Sequence, residues 1–378
     1  MYKYDFVRQL NTKGGDRHQN PFHIDVTLML ILFALCLTGL FVLYSASEQS
    51  LYYVKRQATF MLVGFAGMLI VAQFPVRFLE RIAVIFYAAA VLALVAVLLF
   101  GIEAKGATRW LNLGFTRFQP SEIAKIAVPL MVSAYLSRYV IPPSIKHVVG
   151  ALLIVAVPAF LILRQPDLGT SILVFASGFF VLFLAGLRKR YLVGTFFTGL
   201  AAAPLLWLYV MRDYQKQRVL TLLSPEDDKF GAGWNIIQST TAIGSGGLSG
   251  KGWTEGTQSQ LNFLPESHTD FIIAVLAEEF GLIGILILLT LYTLVIARCS
   301  FIALKAQSQF GRLLAGSLSL IFFIYVFVNM GMVSGILPVV GAPLPMISYG
   351  GTAILTLFIG FGLLMAISTE PNRMRTTL

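Results

Sequence analysis

The sequence predicts an all-α, polytopic membrane protein, and three observations support this fold class. Of the 378 residues, 57% are hydrophobic and only 12% are charged, whereas soluble domains carry about 25% charged residues. The mean hydropathy is +0.79. Ten apolar runs have lengths close to the roughly 20 residues that a helix needs to cross a bilayer. A chain with so few charges does not cover the surface of a water-soluble protein of this size.

The ten runs predict ten transmembrane helices in a single integral membrane domain, residues 1–378. Pro158 lies inside the short fifth run, so this helix is expected to kink. The polar first residues do not form a signal peptide, and the first run is therefore expected to remain as a helix. Cys36 and Cys299 lie in or beside apolar runs and suggest no disulfide framework. The runs cover residues 26–45, 57–74, 82–100, 121–138, 147–163, 168–187, 191–211, 271–296, 313–334 and 350–368.

Basic residues predict the direction in which the helices cross the membrane. With the N-terminus inside, the cytoplasmic segments contain 16 Lys and Arg residues, and the short outer loops contain six. Because cytoplasmic loops carry such an excess, we expect cytoplasmic tails at 1–25 and 369–378. The segment 212–270 is then a large outer loop between helices seven and eight. The net charge of +10 fits cytoplasmic loops and anionic lipid, so no nucleic-acid partner is expected.

A charged pair lies at the outer start of the fourth run. Glu122 and Lys125 follow Gln119 and Pro120, and their spacing of three puts them on one helix face. One interpretation is a helix-end acid with its pairing lysine, since proline and acids favour a first helical turn. The other is that both side chains point into an outer cavity, where an ionisable residue at membrane depth is typical of a functional site.

A second polar group stands at the start of the eighth run. Asp270 directly precedes this run, so it is either a helix N-cap or a functional acid. Glu278 and Glu279 lie about 12–14 Å further along a helix, and at least one of them should face the bundle interior or a crevice. Glu266 and His268 flank Asp270, and the histidine is expected to be an interfacial polar residue rather than a metal ligand.

A glycine-rich segment precedes this group in the outer loop. It reads GSGGLSGKGW over 244–253 and contains Lys251. Its backbone N–H groups can approach phosphate oxygens if the loop curls into an anion site. Glycine-rich loops are more commonly only flexible, so the pattern alone is weak.

Taken together, the polar motifs resemble a known family. The residues of these motifs and their order are similar to those of the SEDS family (shape, elongation, division, sporulation). The resemblance covers nearly the whole chain, including ten spans and a long outer loop before the eighth. The short N-terminal tail and the last motif resemble the members that act in cell elongation in Gram-negative bacteria rather than in division. The motifs are QPSEIAK at 119–125, GSGGLSGKGWTEGTQ at 244–258, LPESHTDFIIAVLAEEFG at 264–281 and NMGMVSGILPVVGAPLPMISYGG at 329–351.

The resemblance implies a peptidoglycan glycosyltransferase of the inner membrane that maintains rod shape. Family members polymerise lipid II, a disaccharide-pentapeptide on undecaprenyl pyrophosphate, on the periplasmic face. The aspartate of the family's HTDF motif falls on Asp270 and is implied to be catalytic. The implied partners are a class B penicillin-binding protein, other proteins of the elongation complex, and membrane lipid.

The reaction needs a base and positive charge. An acceptor hydroxyl attacks the anomeric carbon of the donor while a base removes its proton, and Asp270 is the candidate. The pyrophosphate leaving group needs cations, and Arg109, Lys125 and Lys251 are the candidates on the outer side. A guanidinium such as that of Arg109 can grip phosphate oxygens bidentately. No cofactor is certain, and a divalent cation, Mg²⁺ or Mn²⁺, stays an open alternative.

Two other classes of function share this topology. A lipid II flippase would place ionisable groups near the bilayer midplane on related repeats, whereas the acids here cluster towards the outer side. A non-catalytic scaffold for a penicillin-binding protein needs no buried carboxylate. Both alternatives remain open on the sequence alone.

Overall fold

The computed structural model describes residues 23–104, 107–112, 117–228, 232–260 and 266–371. Within these ranges the chain is mostly helical. The α-helices are α1 Val26–Ala46, α2 Leu51–Ala72, α3 Val76–Phe100, α4 Pro120–Leu136, α5 Ile145–Arg164, α6 Leu168–Leu184, α7 Lys189–Leu205, α8 Asp213–Leu223, α9 Ala232–Gly246, α10 Thr257–Gln260, α11 Ile272–Lys305, α12 Gln309–Val333 and α13 Gly351–Ser368.

Each of the ten predicted apolar runs falls on a helix, so the chain is a multi-pass membrane protein. Seven helices of the described residues are long and apolar enough to cross a membrane, and the count rises to eight if one bent pair is a single span. That pair is the apolar part of α7 with α8, which meet at 117°. Helices α4 and α6 have 17 residues each, a little short of the usual crossing length.

The all-α expectation misses a small sheet on the connection between α3 and α4. Strands β1 Ile102–Ala104, β2 Ala107–Asn112 and β3 Arg117–Phe118 pair antiparallel in the order β1-β2-β3. The alternation in this short segment is too weak to stand out between two apolar runs. The predicted tails lie mostly outside the described residues, which begin at residue 23 and end at residue 371.

Most of the buried apolar side chains belong to two clusters. The larger cluster of buried side chains comes mainly from α1, α2, α11, α12 and α13, and the smaller comes mainly from α4, α5 and α6. Small residues let helices approach closely, as in many membrane proteins. A Cβ added to Gly64 of α2, for example, would lie 2.2 Å from the Phe358 ring of α13. This packing fixes the parts of α2, α4 and α11 to α13 that surround the candidate site.

A polar cluster joins three helices at the opposite end of the bundle. Asp25 caps α1 by accepting a hydrogen bond from the Leu28 N–H at 3.0 Å. Its carboxylate also accepts bonds from Arg298 of α11, at 3.1 and 2.8 Å, and from Ser368 of α13, at 2.7 Å. Burial disfavours the charged carboxyl, but these donors outweigh that effect, so the pKa of Asp25 lies below its ordinary value.

Candidate active site

Helix α11 is broken near its N-terminal end, at Gly281. This residue has φ +61° and ψ −156°, a backbone conformation that is essentially restricted to glycine. The break separates a short N-terminal part, up to residue 280, from the long remainder of the helix. It also interrupts the helical hydrogen bonds on either side, and their backbone groups need other partners.

The glycine-rich segment supplies those partners. The N–H groups of Lys251 and Gly252 donate to the carbonyls of Glu278 and Glu279, both at 3.0 Å. The Leu282 N–H donates to the Gly247 carbonyl at 3.0 Å, and the Ile283 N–H to the Leu248 carbonyl at 3.2 Å. The N–H groups of Lys251 and Gly252 are therefore used inside the protein, and the segment has a structural role at the break in α11.

The two adjacent acids of α11 have separate partners. Glu278 is fully buried and pairs with Lys251, whose Nζ lies 2.7 Å from its Oε1. The same oxygen accepts the Gln258 N–H at 2.9 Å. Glu279, also buried, accepts a hydrogen bond from the Ser45 hydroxyl at the end of α1. Both acids thus hold the N-terminal part of α11 against its surroundings, and the Lys251 ammonium is paired with Glu278.

Asp270 does not cap α11. The helix begins at Ile272, its N-cap is Phe271, and no side-chain capping bond is formed there. Asp270 lies in the turn that leads into the helix and is half-buried. Its carboxylate faces Gly341, since a Cβ built on that glycine would lie 3.5 Å from Asp270 Oδ2. The capping alternative therefore does not account for this residue.

The backbone leading to Asp270 is held by the segment that links α12 to α13. The carbonyls of His268 and Thr269 accept bonds from the Tyr349 N–H at 2.9 Å and the Ser348 hydroxyl at 2.6 Å. The next carbonyl, that of Asp270, accepts a bond from the Asn329 amide at 2.9 Å. Three consecutive peptide carbonyls are thus docked, so the direction of the Asp270 side chain is defined by the fold.

Two arginines contribute charge in the surroundings of Asp270. Arg109 of β2 pairs with Asp167, its Nε lying 3.2 Å from Oδ2, and donates to the Pro166 carbonyl at 3.2 Å. Arg218 of α8 donates to the Val340 carbonyl at 3.3 Å. Burial and the charge of Arg109 lower the pKa of Arg218, while the charges of Asp167 and Asp270 act in the opposite sense. These four charged groups therefore form one electrostatic cluster.

Glu122 and Lys125 line a neighbouring apolar cavity. Lys125 Nζ lies 2.6 Å from Glu122 Oε1 and 4.8 Å from the centre of the Tyr325 ring. The cavity, about 70 Å³ in volume, lies between α4, α12, α13 and the segment after α12. Ser348, which holds the backbone before Asp270, also lines it. The pair is both an ion pair of the first turn of α4 and the polar end of an apolar space.

The remaining predicted residues support the turn. His268 packs against the rings of Tyr53 and Tyr349, with centroids 5.1 and 6.1 Å away. Glu266 accepts a hydrogen bond from the Thr269 hydroxyl at 2.8 Å. Within the described part of the chain, no group of three or more His, Cys, Asp or Glu side chains is arranged to hold a metal ion.

The structure brings together some predicted residues and adds others. Asp270 and Arg109 belong to one cluster, whereas Lys251, Glu278 and Glu279 lie around the break in α11. Sequence reasoning missed Arg218, which is far from every recognisable motif. Its only signal is its position in a polar helix within a segment expected to be an outer loop.

The sequence matches a known family along most of its length. The profile of the Cell cycle protein family, which includes FtsW, RodA and SpoVE, matches residues 26–373. The peptidoglycan glycosyltransferase MrdB of Escherichia coli K12 is 57% identical over 349 residues, which are 92% of this chain and 94% of that protein. A probable peptidoglycan glycosyltransferase FtsW of Trichlorobacter lovleyi is 36% identical, over 93% of this chain and 95% of that protein.

Solved structures agree with the sequence comparison. One comes from work on the coordination of polymerisation and crosslinking by a peptidoglycan synthase complex. It has a TM-score of 0.80 and 30% identity, and the match covers 94% of this chain and 99% of that chain. The rod shape determining protein RodA of Thermus thermophilus has a TM-score of 0.68 and 29% identity, over 91% and 96% of the two chains. The expected SEDS resemblance is confirmed, and this chain belongs to the FtsW/RodA/SpoVE family of cell cycle proteins.

Proposed function

We propose that this chain is a peptidoglycan glycosyltransferase that polymerises lipid II during cell elongation, with Asp270 as its general base. The single observation that carries the mechanism is the position of the Asp270 carboxylate, which faces Gly341, next to the Val340 carbonyl that Arg218 binds. The activity follows the relatives, of which the 57% identical MrdB carries this name. The greater identity to MrdB than to FtsW favours a role in elongation and rod-shape maintenance.

The proposed reaction joins one sugar chain to the next. The acceptor hydroxyl oxygen forms a bond to the anomeric carbon, and its proton passes to the Asp270 carboxylate. The bond from that carbon to the pyrophosphate oxygen breaks, and undecaprenyl pyrophosphate leaves with the electron pair. Arg109 and Arg218 are the proposed cations for that developing charge. Two guanidinium groups in a half-buried site repel each other electrostatically. An anionic ligand relieves this repulsion, so the site favours one.

The apolar cavity beside the cluster suits a lipid chain. Its lining is mostly apolar; Glu122, Lys125, Ser348 and Thr356 are polar, and the Thr356 hydroxyl lies 3.4 Å from the Glu122 carboxylate. A polyprenyl group needs such a surface, while its pyrophosphate needs cations. We assign Glu122 and Lys125 a supporting role at the junction of these two environments.

We further propose the topology that the basic residues predict. The chain is then a single membrane domain, 1–378, with ten spans, both tails in the cytoplasm and the segment 212–270 in the periplasm. The ten helices that coincide with apolar runs support this arrangement. It puts Asp270 on the periplasmic face of the inner membrane, where lipid II is polymerised.

The proposed partner is a class B penicillin-binding protein, which crosslinks the new strand. A structure of a peptidoglycan synthase complex contains a chain with the same fold. The exposed apolar faces of α11 and α12 are the proposed docking surface, on spans eight and nine. Gly281 does not belong to that surface, because it is buried against the backbone of the glycine-rich segment. Other elongation proteins remain proposed partners as well.

Polymerisation of lipid II by the purified protein with its transpeptidase partner tests the function. Asp270→Asn keeps the size of the side chain, and we expect at least ~100-fold slower polymerisation at normal abundance. Asp227→Asn, an exposed acid of the same outer segment, is the matched control and should act like wild type. Glycan synthesis by Asp270→Asn near the wild-type rate would remove the base assignment. Transfer of lipid II across vesicles without polymer would indicate a flippase, and neither activity a scaffold.

A further inference from the structure

Asn329 makes a contact that the proposed mechanism has not used. It lies in the outer part of α12, fully buried, and begins the motif NMGMVSGILPVVGAPLPMISYGG. Its Nδ2 donates two hydrogen bonds, one to the Asp270 carbonyl at 2.9 Å and one to the Ala342 carbonyl at 2.7 Å. One amide group therefore ties two distant segments to the same helix.

The orientation of this amide is fixed by its partners. Both partners are carbonyl oxygens, so only the NH₂ end of Asn329 can face them. Its Oδ1 is buried and has no hydrogen-bond partner among the described residues, which is unfavourable because the oxygen loses its bonds to water. A leucine of similar size would avoid that cost but would leave two carbonyls without this donor. The amide thus holds the two carbonyls in place, and its unpartnered oxygen lowers the stability of the folded protein.

Both carbonyls belong to the surroundings of the same carboxylate. One is the peptide of Asp270 itself. The other follows Gly341, which lies against Asp270 Oδ2 and has φ +78°, a left-handed conformation that favours glycine. Asn329 therefore holds both the backbone that carries the carboxylate and the wall that the carboxylate faces. Since an error of about 1 Å in a reacting group can cost ~100-fold in rate, such a tie has direct consequences for proton transfer.

We propose that Asn329 is a positioning residue for glycosyl transfer, which fixes the Asp270 carboxylate by bridging the Asp270 and Ala342 carbonyls. This inference rests on the proposed role of Asp270 as general base. Asn329 acts through Asp270 and is not proposed to contact the substrate. Its replacement should therefore lower kcat and leave the affinity for lipid II unchanged.

Asn329→Leu removes both donors without adding charge. We expect kcat for lipid II polymerisation to fall at least ~10-fold, while KM stays within about twofold. Ser317→Ala is the matched control on the same helix. Ser317 is fully buried and donates to the Ser177 carbonyl at 2.7 Å, so this variant also removes a buried interhelical bond. Its kcat should stay within about twofold of wild type, with a comparable change in Tm.

The outcomes separate the inference from the proposed function. A kcat for Asn329→Leu no lower than that of Ser317→Ala, or an equal rise in KM, overturns the positioning role. If Asn329→Leu does not accumulate, Ser348→Ala takes its place, because it removes the donor to the neighbouring Thr269 carbonyl. This variant must then show the same fall in kcat with KM unchanged. An unchanged kcat counts against the inference. An active Asp270→Asn enzyme defeats the proposed base, whereas an inactive one with normal Asn329→Leu defeats only this inference.

Discussion

Replacing Gly281 by alanine should open the joint between the glycine-rich segment and α11. A Cβ at this position would lie 2.5 Å from the Gly250 nitrogen and 2.6 Å from the Leu248 carbonyl carbon. Both are backbone atoms, so the clash is not relieved by a side-chain rotation. The conformation at φ +61° and ψ −156° is in addition unfavourable for any residue with a Cβ.

The expected loss of stability follows from two contributions. Backbone strain in such a region costs about 1–3 kcal/mol. Four backbone hydrogen bonds cross the joint, and losing two of them costs about 2 kcal/mol at about 1 kcal/mol each. Together with about 2 kcal/mol of strain, the total is about 4 kcal/mol. At about 2 °C per kcal/mol for a large chain, the apparent Tm should fall by about 8 °C.

Thermal unfolding of the purified protein and lipid II polymerisation measure the effect. Gly67→Ala in α2 is the control, because a Cβ there meets nothing within 4 Å and alanine favours a helix interior by about 0.5–1 kcal/mol. We expect Gly281→Ala to lose both stability and activity and Gly67→Ala to lose neither. A Gly281→Ala protein with a Tm within about 2 °C of wild type and full activity would refute the reasoning. In that case α11 would be able to continue as an unbroken helix through position 281 without its hydrogen bonds to the glycine-rich segment.

Three further changes test other parts of the structure. Lys251→Met should lower Tm, because it leaves the buried Glu278 carboxylate without its lysine, yet change the KM for lipid II by less than about threefold; a large rise in KM would restore Lys251 as a phosphate ligand. A cysteine at Ser224 should react with a membrane-impermeant thiol reagent in intact spheroplasts, and labelling only after lysis would reverse the topology. Arg298→Met should lower Tm most near pH 7. Because the pKa of Asp25 is lowered in the folded state, its pairing stabilises the protein above the ordinary carboxyl pKa and is lost as pH falls through the lowered value. A difference in Tm that is equal at pH 7 and pH 3 would exclude this pair as its source.

The helices were predictable because lipid imposes a length and a hydropathy on every span. The ten apolar runs fall on helices for that reason. The segment 212–270 lacks such a constraint, and the sequence did not reveal that it contains α8 and α9, or that its glycines complete α11. Nothing in the local sequence distinguishes the break at Gly281 from a close approach between helices.

The site was predictable in its motifs but not in its pairings. Asp270 and the acids after it stand out because polar groups beside an apolar run are rare. Their partners are distant in sequence: Ser45 meets Glu279, and Asn329 meets the Asp270 carbonyl. Arg218 of α8 comes near Asp270 only in the folded chain, where it donates to the Val340 carbonyl beside Gly341. Such contacts depend on tertiary structure, which no local pattern encodes.

The cluster around Asp25 has a consequence for the order in which the protein is made. Asp25 enters the membrane region with the first helix, whereas its partners Arg298 and Ser368 belong to the eighth and tenth predicted spans. During synthesis the carboxylate therefore remains without these two donors until nearly the whole chain has been translated. A ribosome that stops before the last span leaves Ser368 absent and the first helix incompletely fastened. The hydrogen bonds that join α1, α11 and α13 at Asp25 can therefore all form only after the last span has been synthesised.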